Sequence, residues 1–307
     1  MSEIFHARKI AILGAGLIGG SLASACDRHA RLRCDRIAIY DVRPRETEAF
    51  HQAGQAGQAG ETTSRRVYVS PSPAEAVEGA ALVLLCVPIG RMRGLVEEML
   101  PSLSPDAVVT DVGSVKGCVV AEIEPLFAGK ARWIGGHPMA GREKAGFNRE
   151  QAISFEGATV ILTPTPATDA EALRFVTLFW ETLGCYIQTM SPGDHDRYVA
   201  QISHLPHLVA AALTQSVSEE SLKISGPGFR DTTRIAGGPA EMWKEILLAN
   251  RREVSKALDH FAIEIDKARR ALAEGRETEL HDLLRRANEK RSLLEEILKK
   301  AAVEKPL

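Results

Sequence analysis

The sequence predicts an α/β protein: an N-terminal, doubly wound parallel sheet followed by an all-α C-terminal domain. Short strand-like apolar runs alternate with helical stretches through the first half of the chain, as in a parallel sheet with helices on both faces. A turn-rich segment, 191–194, ends this alternation. Beyond it strand patterns stop, and apolar residues recur at helical spacing over 199–213. The predicted domains are therefore residues 1–190 and 191–307.

The predicted strands lie where aliphatic and β-branched residues cluster between turn signals. They span 9–13, 36–40, 81–87, 107–111, 132–135, 158–162 and 185–190, with a helix over 169–183 before the last strand. A short three-residue repeat over 51–60 is too glycine-rich for a stable helix end, so we predict a surface loop there. Trp133 and Trp180 are assigned to packing.

Composition limits the class of partner. The chain has 307 residues, of which 45% are hydrophobic and 25% charged, as in ordinary globular proteins. A formal net charge of -2 gives no general attraction to nucleic acid or to anionic membranes. We therefore expect a small-molecule ligand, met by a local cluster of cations if it is anionic, and neither a nucleic-acid nor a membrane partner.

The cysteines and the N-terminus indicate a reducing compartment. The five cysteines are scattered without metal-type spacing, so we expect buried free thiols and no metal site. Residues 1–9 lack the apolar stretch of a signal peptide, and no apolar run approaches the roughly 20 residues that cross a bilayer. A cytoplasmic location is the resulting expectation.

A glycine-rich turn predicts a dinucleotide site of the Rossmann type. The segment Gly14-Ala15-Gly16-Leu17-Ile18-Gly19 lies between the predicted strand 9–13 and a helix-compatible stretch, 21–26. The first glycine suits the tight turn, the second lets a pyrophosphate approach the backbone, and the third lets helix and strand pack closely. We assign Gly14, Gly16, Leu17, Ile18 and Gly19 to cofactor binding, with the helix N-terminus facing the phosphates.

The end of the second predicted strand favours NAD over NADP. Asp41 follows strand 36–40, where a carboxylate accepts hydrogen bonds from the adenosine ribose and repels a 2′-phosphate. Arg43 lies two residues on and is able to neutralise a 2′-phosphate, so NADP remains the less favoured alternative.

Two further segments carry candidate chemistry. Residues 110–116, TDVGSVK, contain Ser114, and residues 135–141, GGHPMAG, contain His137. The glycines of the second segment leave room for a ligand against the backbone, and Pro138 stiffens the turn, so we predict an imidazole that is displayed rather than packed. Together the segments predict a hydroxyl and an imidazole that face a nicotinamide.

With these motifs the chain resembles the prephenate and arogenate dehydrogenase family, also called cyclohexadienyl dehydrogenases. The resemblance covers nearly the whole length and rests on five ordered motifs: 14–21, GAGLIGGS; 111–116, DVGSVK; 136–141, GHPMAG; 203–207, SHLPH; and 228–236, GFRDTTRIA. It implies that hydride leaves a ring carbon bearing a hydroxyl for NAD, while carbon dioxide leaves the opposite ring carbon. The expected reaction is prephenate to 4-hydroxyphenylpyruvate in tyrosine biosynthesis, with arogenate as an alternative substrate.

The resemblance implies roles for the candidate catalytic pair. His137 is the expected base for the substrate hydroxyl, because a neutral imidazole near its usual pKa suits proton transfer at neutral pH. Ser114 matches a family serine that hydrogen-bonds this histidine and the substrate hydroxyl. The alternative for Ser114 is a cap on a helix starting near Val115, and both roles are compatible.

The resemblance also implies a substrate pocket. Arg234 matches the arginine that grips the ring carboxylate, where a guanidinium binds two oxygens at once, although a structural arginine is the alternative. His207 matches a pocket histidine, whereas His204 is expected to be a satisfied core residue beside a kink at Pro206. Glu143 matches an acidic residue at the pocket entrance.

Four other residues bear on assembly and specificity. Trp243, with its neighbour Met242, resembles a pair that reaches the pocket from the other subunit of a homodimer, although core packing explains Trp243 equally well. The helices of 241–302 either present a solvated face or cover a partner subunit, and we favour a homodimer. Arg142 stands where relatives often carry Thr or Ser, and Lys144 adds a second cation. This extra positive charge favours prephenate over arogenate, which carries an amino group.

Two other functions compete with this interpretation. A β-hydroxyacid dehydrogenase also joins a dinucleotide domain to helices, but it typically uses a lysine base where this chain has His204 and His207. A noncatalytic NAD-sensing protein needs the glycine turn but neither Ser114 nor His137. Fold alone does not decide among these functions.

Overall fold

The computed structural model describes residues 4–55, 66–141, 147–148 and 152–303. These residues form two compact units, Met1–Arg251 and Arg252–Leu307. The first, the sheet unit, contains the sheet and the helices that follow it directly. The predicted boundary at 190–191 marks the end of the sheet, whereas the units separate at Arg251, because the helix after the last strand bonds to loops of the sheet.

Within the described residues, eight strands form the sheet of the first unit. In chain order they are β1 Phe5–Leu13, β2 Leu32–Tyr40, β3 Val67–Val69, β4 Leu82–Leu85, β5 Val108–Asp111, β6 Arg132–Pro138, β7 Thr159–Thr163 and β8 Tyr186–Thr189. Their order across the sheet is β3-β2-β1-β4-β5-β6-β7-β8. The order of the first six is that of a dinucleotide-binding fold, as the sequence predicts.

Helices connect the strands of the sheet. They are α1 Leu17–Arg28, α2 Pro44–Gln55, α3 Pro73–Val77, α4 Ile89–Met99, α5 Gly117–Ile123 and α6 Ala170–Thr182. Short 3₁₀ turns follow two of them, at Leu100–Ser102 after α4 and at Glu124–Phe127 after α5. The predicted loop over 51–60 is wrong for its first half, because α2 continues to Gln55, while residues 56–60 lie outside the described part of the chain.

The parallel-sheet prediction is correct for β1 to β6 and wrong for the last two strands. β7 runs antiparallel to β6, with Gly136 opposite Leu162, and β8 runs parallel to β7. An antiparallel neighbour needs no crossover helix, so the strand alternation seen in the sequence does not reveal this reversal. β3 was not predicted, because its three residues are too short for a periodic signal.

The sheet is covered on both faces, which confirms the doubly wound prediction. Alternate residues of β1 point to opposite sides: Ile10 and Ile12 join the cluster with α1 and α6, whereas Ala11 and Leu13 join the cluster with α3, α4 and α5. Trp180 is fully buried in the first cluster and Trp133 is buried in the second, as predicted.

The cysteines are free thiols, as predicted. Cys26, Cys34 and Cys185 are buried, while Cys86 and Cys118 are half-buried. Burial raises the pKa of the Cys185 thiol to about 12, so this side chain behaves as a small apolar core residue.

All described elements after β8 are helical, which confirms the predicted change of class. In the sheet unit they are α7 Pro192–Val199, a π-helical turn Ala200–His204, α8 Leu205–Gln215, α9 Glu219–Lys223, α10 Pro227–Thr233, a 3₁₀ turn Arg234–Gly237 and α11 Ala240–Ala249. α12 Arg251–Ala273 and α13 Glu277–Val303 form the C-terminal unit. None of the helices described is long and apolar enough to cross a membrane.

A π-helical turn lies beside Pro206, where the sequence predicts a kink. Proline has no backbone N–H and its ring clashes with the carbonyl four residues earlier, so the regular hydrogen-bond ladder is interrupted there. The turn Ala200–His204 ends two residues before this proline, and both His204 and His207 are buried. Such π-turns inside longer helices recur at functional sites.

Candidate active site

The glycine-rich turn joins β1 to α1 at the carboxyl end of the central strands. Gly14 has φ +107°, and a Cβ on it would lie 2.3 Å from the Cys86 carbonyl oxygen, so only glycine fits. A Cβ on Gly19 would lie 1.8 Å from the Gly14 carbonyl oxygen. A Cβ on Gly16, in contrast, would meet no atom within 4 Å of it in the described structure. Gly14 and Gly19 therefore shape the turn as predicted, and the open side of Gly16 fits an approaching phosphate.

The N-terminus of α1 adds to this anion-binding geometry. The N-cap is Gly16, and Leu17 and Ile18 form the first turn without any acidic side chain. The leading N–H groups of a helix lack partners inside the helix and carry partial positive charge. A dinucleotide pyrophosphate fits this end of the helix.

Asp41 lies beside the same turn, at the end of β2. One of its carboxylate oxygens accepts a hydrogen bond from the Ala15 backbone N–H at 2.8 Å, and the other accepts one from the Arg43 backbone N–H at 2.8 Å. The Arg43 side chain lies 3.4 Å from the second oxygen. The carboxylate is thus held against the glycine turn, where the ribose of a bound dinucleotide is expected.

A buried ion pair closes the end of β5. The Lys116 ammonium bonds to the Asp111 carboxylate and donates to the Gly136 carbonyl oxygen at 2.8 Å, and both charged side chains are fully buried. The Asp111 carboxylate also accepts backbone N–H groups of Gly113 at 2.8 Å and Gly136 at 3.0 Å. Burial lowers the pKa of Lys116 although Asp111 opposes this shift. This pair fixes the loop after β5 against β6.

The glycines before His137 make room for protein rather than for a ligand, so that prediction is wrong. A Cβ on Gly135 would lie 2.4 Å from the Thr163 hydroxyl, and one on Gly136 would lie 2.7 Å from the Asp111 carbonyl oxygen. Only small residues let β6 pack this closely on its neighbours. A Cβ on Gly141, in contrast, would meet no atom of the described residues within 4 Å.

His137 is buried, not displayed as predicted. It is the penultimate residue of β6, and 9% of its surface is exposed. Pro138 ends the strand opposite Val160 of β7. Its Nδ1 lies 2.8 Å from Nε2 of His195 on α7. The His195 Nδ1 lies 2.8 Å from a carboxylate oxygen of Asp196. His137, His195 and Asp196 therefore form a continuous hydrogen-bonded chain.

Backbone groups fix the Asp196 carboxylate at the end of this chain. One oxygen accepts the Lys116 N–H at 2.7 Å and the other accepts the Gly117 N–H at 2.8 Å, at the start of α5. Burial alone would raise the pKa of Asp196, but the hydrogen bonds from His195, Lys116 and Gly117 lower it. The carboxylate is therefore ionised at neutral pH.

Burial sets the charge state of the histidines. Burial holds the pKa of His137 well below its ordinary value, and the neighbouring His195 ring and the Lys116 ammonium further disfavour a second positive charge there. Burial lowers the pKa of His195 and, for His204, brings the pKa to about 4. The predicted near-normal pKa for His137 is thus wrong. All three imidazoles are neutral at neutral pH, which is the form a base requires.

Ser114 lies in the loop between β5 and α5, half-buried. Among the described residues its hydroxyl forms no hydrogen bond with His137, whose Nδ1 contacts His195 instead. The predicted capping role is wrong, because α5 starts at Gly117 with Lys116 as its N-cap. A Ser114 bond to the substrate hydroxyl remains a prediction.

The helices after the sheet bring His204, His207 and Trp243 together. His204 is fully buried, as predicted, and its Nδ1 lies 3.1 Å from the Asn250 amide nitrogen. Its buried Nε2 forms no hydrogen bond among the described residues, so the prediction of a satisfied core histidine is correct for burial and for one ring nitrogen only. The His207 ring stacks on Trp243 with centroids 3.6 Å apart. A Cβ on Gly238 would lie 2.5 Å from the Trp243 indole nitrogen. Trp243 thus packs within its own chain.

Arg234 starts the 3₁₀ turn that packs on α8, the helix carrying His207. Its side chain is exposed. Arg142, Glu143 and Lys144 lie outside the described residues, so the predictions on substrate recognition by them concern a part of the chain that the structure does not describe.

Four residues of this site were not predicted from the sequence: His195, Asp196, Asp111 and Lys116. His195 and Asp196 follow the turn 191–194 directly, and the only available signal was a histidine and a carboxylate at the start of the first helix beyond the sheet. Asp111 and Lys116 lie inside the motif 111–116, where a lysine five residues after a strand-end aspartate resembles a solvated charge.

The turn, the strand order and the buried imidazole define a Rossmann-type dinucleotide-binding enzyme fold with an appended helical domain. Two family models match the chain: the prephenate dehydrogenase nucleotide-binding domain over residues 52–189 and the prephenate dehydrogenase dimerization domain over residues 191–286.

Known proteins are similar over most of the chain. The cyclohexadienyl dehydrogenase of Zymomonas mobilis is 34% identical over 87% of this chain and 89% of the relative. The prephenate dehydrogenase of Bacillus subtilis is 35% identical over 85% of this chain and 69% of the relative. The solved prephenate dehydrogenase of A. aeolicus, in complex with hydroxyphenyl propionate and NAD+, is 33% identical with a TM-score of 0.81, covering 94% of this chain and 98% of that one. The chain therefore belongs to the prephenate dehydrogenase family.

Proposed function

We propose that this protein is an NAD-dependent oxidoreductase that converts prephenate to 4-hydroxyphenylpyruvate and carbon dioxide. Family membership supports the reaction class. The observation that carries the proposal is the position of His137, which lies at the carboxyl end of β6, at the same edge of the sheet as the glycine turn after β1. Ligands of such sheets bind outside the carboxyl ends of the strands, so a nicotinamide and this imidazole meet there.

The chain supplies a base and a dry, fixed environment. The neutral His137 accepts the proton of the ring hydroxyl as hydride leaves the same carbon. NAD, when bound, accepts that hydride. Loss of carbon dioxide from the opposite ring carbon then yields the aromatic ring, which provides much of the driving force. Ser114 is proposed to hold the substrate hydroxyl, and Arg234, His207 and Glu143 are proposed to recognise the substrate.

The glycine turn offers a matched test of cofactor binding. We expect Gly16→Ala to fold normally, since its Cβ meets no described atom within 4 Å, but to bind NAD about tenfold more weakly or worse, a cost near 1.4 kcal/mol. The added methyl fills the space that the pyrophosphate approaches. Gly19→Ala, whose Cβ would lie 1.8 Å from the Gly14 oxygen, is expected to lower the melting temperature as well. Calorimetric titration and thermal melts measure both effects, and unchanged NAD affinity in Gly16→Ala would contradict the assignment.

Asp41 is proposed to select NAD over NADP. Asp41→Asn keeps an oxygen for the Ala15 N–H but removes the charge that repels a 2′-phosphate, so we expect the NAD-to-NADP ratio of kcat/KM to fall about tenfold or more. Arg43 then loses one of its two carboxylate neighbours, keeping Glu46 at 3.4 Å, and attracts the added phosphate more strongly. Asp35→Asn, at an exposed position of β2, serves as the control. An unchanged ratio in Asp41→Asn would exclude this residue as the selector.

We propose that the protein forms a homodimer through its helical region. α12 and α13 expose many large apolar side chains, among them Ile263, Leu272, Leu284 and Leu298. The family model over residues 191–286 is that of a dimerization domain. In an intact dimer, Trp243 lines either the pocket of its own subunit or that of the partner, and a structure of the dimer distinguishes the two.

The domain division at 190–191 and a cytoplasmic location are proposals as well.

Substrate and cofactor choice are tested together. Purified protein is assayed with prephenate or arogenate, each with NAD or NADP, and kcat/KM is compared. We expect prephenate with NAD to be preferred, because Arg142 and Lys144 add positive charge to a segment that the family resemblance assigns to substrate recognition, and arogenate carries an amino group. Comparable values for the two substrates would remove this charge argument, and a preference for arogenate would reverse it.

A further inference from the structure

The buried chain from His137 to Asp196 determines where each proton sits. The Asp196 carboxylate already accepts two backbone N–H groups and is ionised, so it has no proton to donate to His195. The 2.8 Å contact between this carboxylate and His195 Nδ1 is therefore a hydrogen bond donated by Nδ1–H. From the sequence, Ser114 was the residue expected to hold the His137 ring through a hydrogen bond.

The same reasoning continues to His137. His195 is neutral and carries its proton on Nδ1, so its Nε2 holds a lone pair. The 2.8 Å contact between the two rings is then donated by Nδ1–H of His137. A neutral His137 protonated on Nδ1 has a lone pair on Nε2. The arrangement thus selects one tautomer at each ring.

We propose that His195 and Asp196 are positioning residues that hold His137 in the Nδ1–H tautomer and so make its Nε2 the base of the reaction. In the step itself the substrate O–H bond breaks and a His137 Nε2–H bond forms. The resulting imidazolium keeps its Nδ1–H bond to His195, and the Asp196 carboxylate balances part of the new charge. This inference rests on the proposed function for the identity of the proton donor, whereas the tautomer follows from the hydrogen-bonded chain to Asp196 and the neutral charge of His195.

Other charged and titratable groups surround this chain. Lys116 and Asp111 face it from the end of β5, and His204 faces it from the π-helical turn. Lys116 and Asp111 neutralise each other, and His204 is held by Asn250. Only His195 contacts the His137 ring through a hydrogen bond among the residues described, so it is the residue to change.

Two substitutions at His195 separate positioning from space filling. The amide oxygen of His195→Gln is able to accept the Nδ1–H of His137, whereas His195→Phe fills the space and accepts nothing. We expect His195→Phe to lose about 10²- to 10⁴-fold in kcat, at most the loss caused by removing the base itself, because a wrong tautomer disables that base, with little change in KM. His195→Gln should recover at least about tenfold of that loss. His6→Gln, at an exposed position of β1, is the control.

The tautomer is observed directly by ¹⁵N NMR of the imidazoles in the intact protein at neutral pH. The His137 signals are assigned by their loss in His137→Asn, since the chain has nine histidines. We expect a protonated Nδ1 and an unprotonated Nε2, and a shift of the proton toward Nε2 in His195→Phe.

The outcomes separate the two proposals. Thermal melts and NAD binding show whether each variant is folded. A proton on Nε2 of His137 in the unaltered protein overturns the inference, and so does a kcat for a folded His195→Phe equal to or above that of His195→Gln. The NMR result stands even if the unaltered protein turns over neither prephenate nor arogenate, and that failure would count against the proposed function alone.

Discussion

Replacing His137 with Asn is expected to lower kcat for prephenate by about 10²- to 10⁴-fold, the usual contribution of a general base. Asn has no group that accepts a proton at neutral pH, so the hydroxyl proton has no acceptor as hydride leaves. NAD affinity should stay within about twofold, because the glycine turn and Asp41 are untouched. Steady-state kinetics and NAD titration measure the two effects.

Comparing NAD binding with turnover distinguishes the proposed enzyme from the alternative functions. A protein that only senses NAD has no turnover to lose, and a β-hydroxyacid dehydrogenase with a lysine base would keep its activity. His260→Asn, at an exposed position of α12, is the matched control and should retain full activity. Near-normal kcat in His137→Asn would remove this imidazole from the mechanism.

Replacing Lys116 with Met is expected to lower the free energy of unfolding by about 3–5 kcal/mol, the cost of breaking a buried ion pair from one side. The substitution leaves the Asp111 carboxylate fully buried with backbone N–H groups as its remaining partners. It also removes the 2.8 Å bond to the Gly136 carbonyl, next to His137. Denaturant unfolding at neutral pH measures the loss.

A surface lysine provides the control for this stability measurement. Lys130→Met, at an exposed position after α5, should change the free energy of unfolding by less than about 0.5 kcal/mol. A loss in Lys116→Met as small as that of the control would show that the buried pair contributes little to the fold.

The cofactor-binding residues could be predicted from short sequence motifs. Gly14, Gly16 and Gly19 lie within one strand-turn-helix unit, and Asp41 follows the next strand, 26 positions from its Ala15 partner, so the known spacing of the dinucleotide-binding motif was enough to predict them. Helical spacing after residue 191 likewise gave the all-helical region, because the pattern repeats within each helix.

The surroundings of His137 depend on contacts between distant parts of the chain. His137 meets His195 across 58 positions, and Asp196 meets Lys116 across 80, so no local pattern shows either contact. The burial of His137 and of Lys116 follows from the same packing. The glycines at 135 and 136 gave an ambiguous signal, since room for a ligand and room for a neighbouring strand require the same residue.

The most direct test of the proposed activity is the product balance of a single reaction. Purified protein is incubated with prephenate and NAD, and NADH, carbon dioxide and 4-hydroxyphenylpyruvate are measured in the same sample. The proposed reaction predicts that all three form in equal amounts. NADH without carbon dioxide, or no turnover by protein that binds NAD, would contradict oxidative decarboxylation as the function of this site.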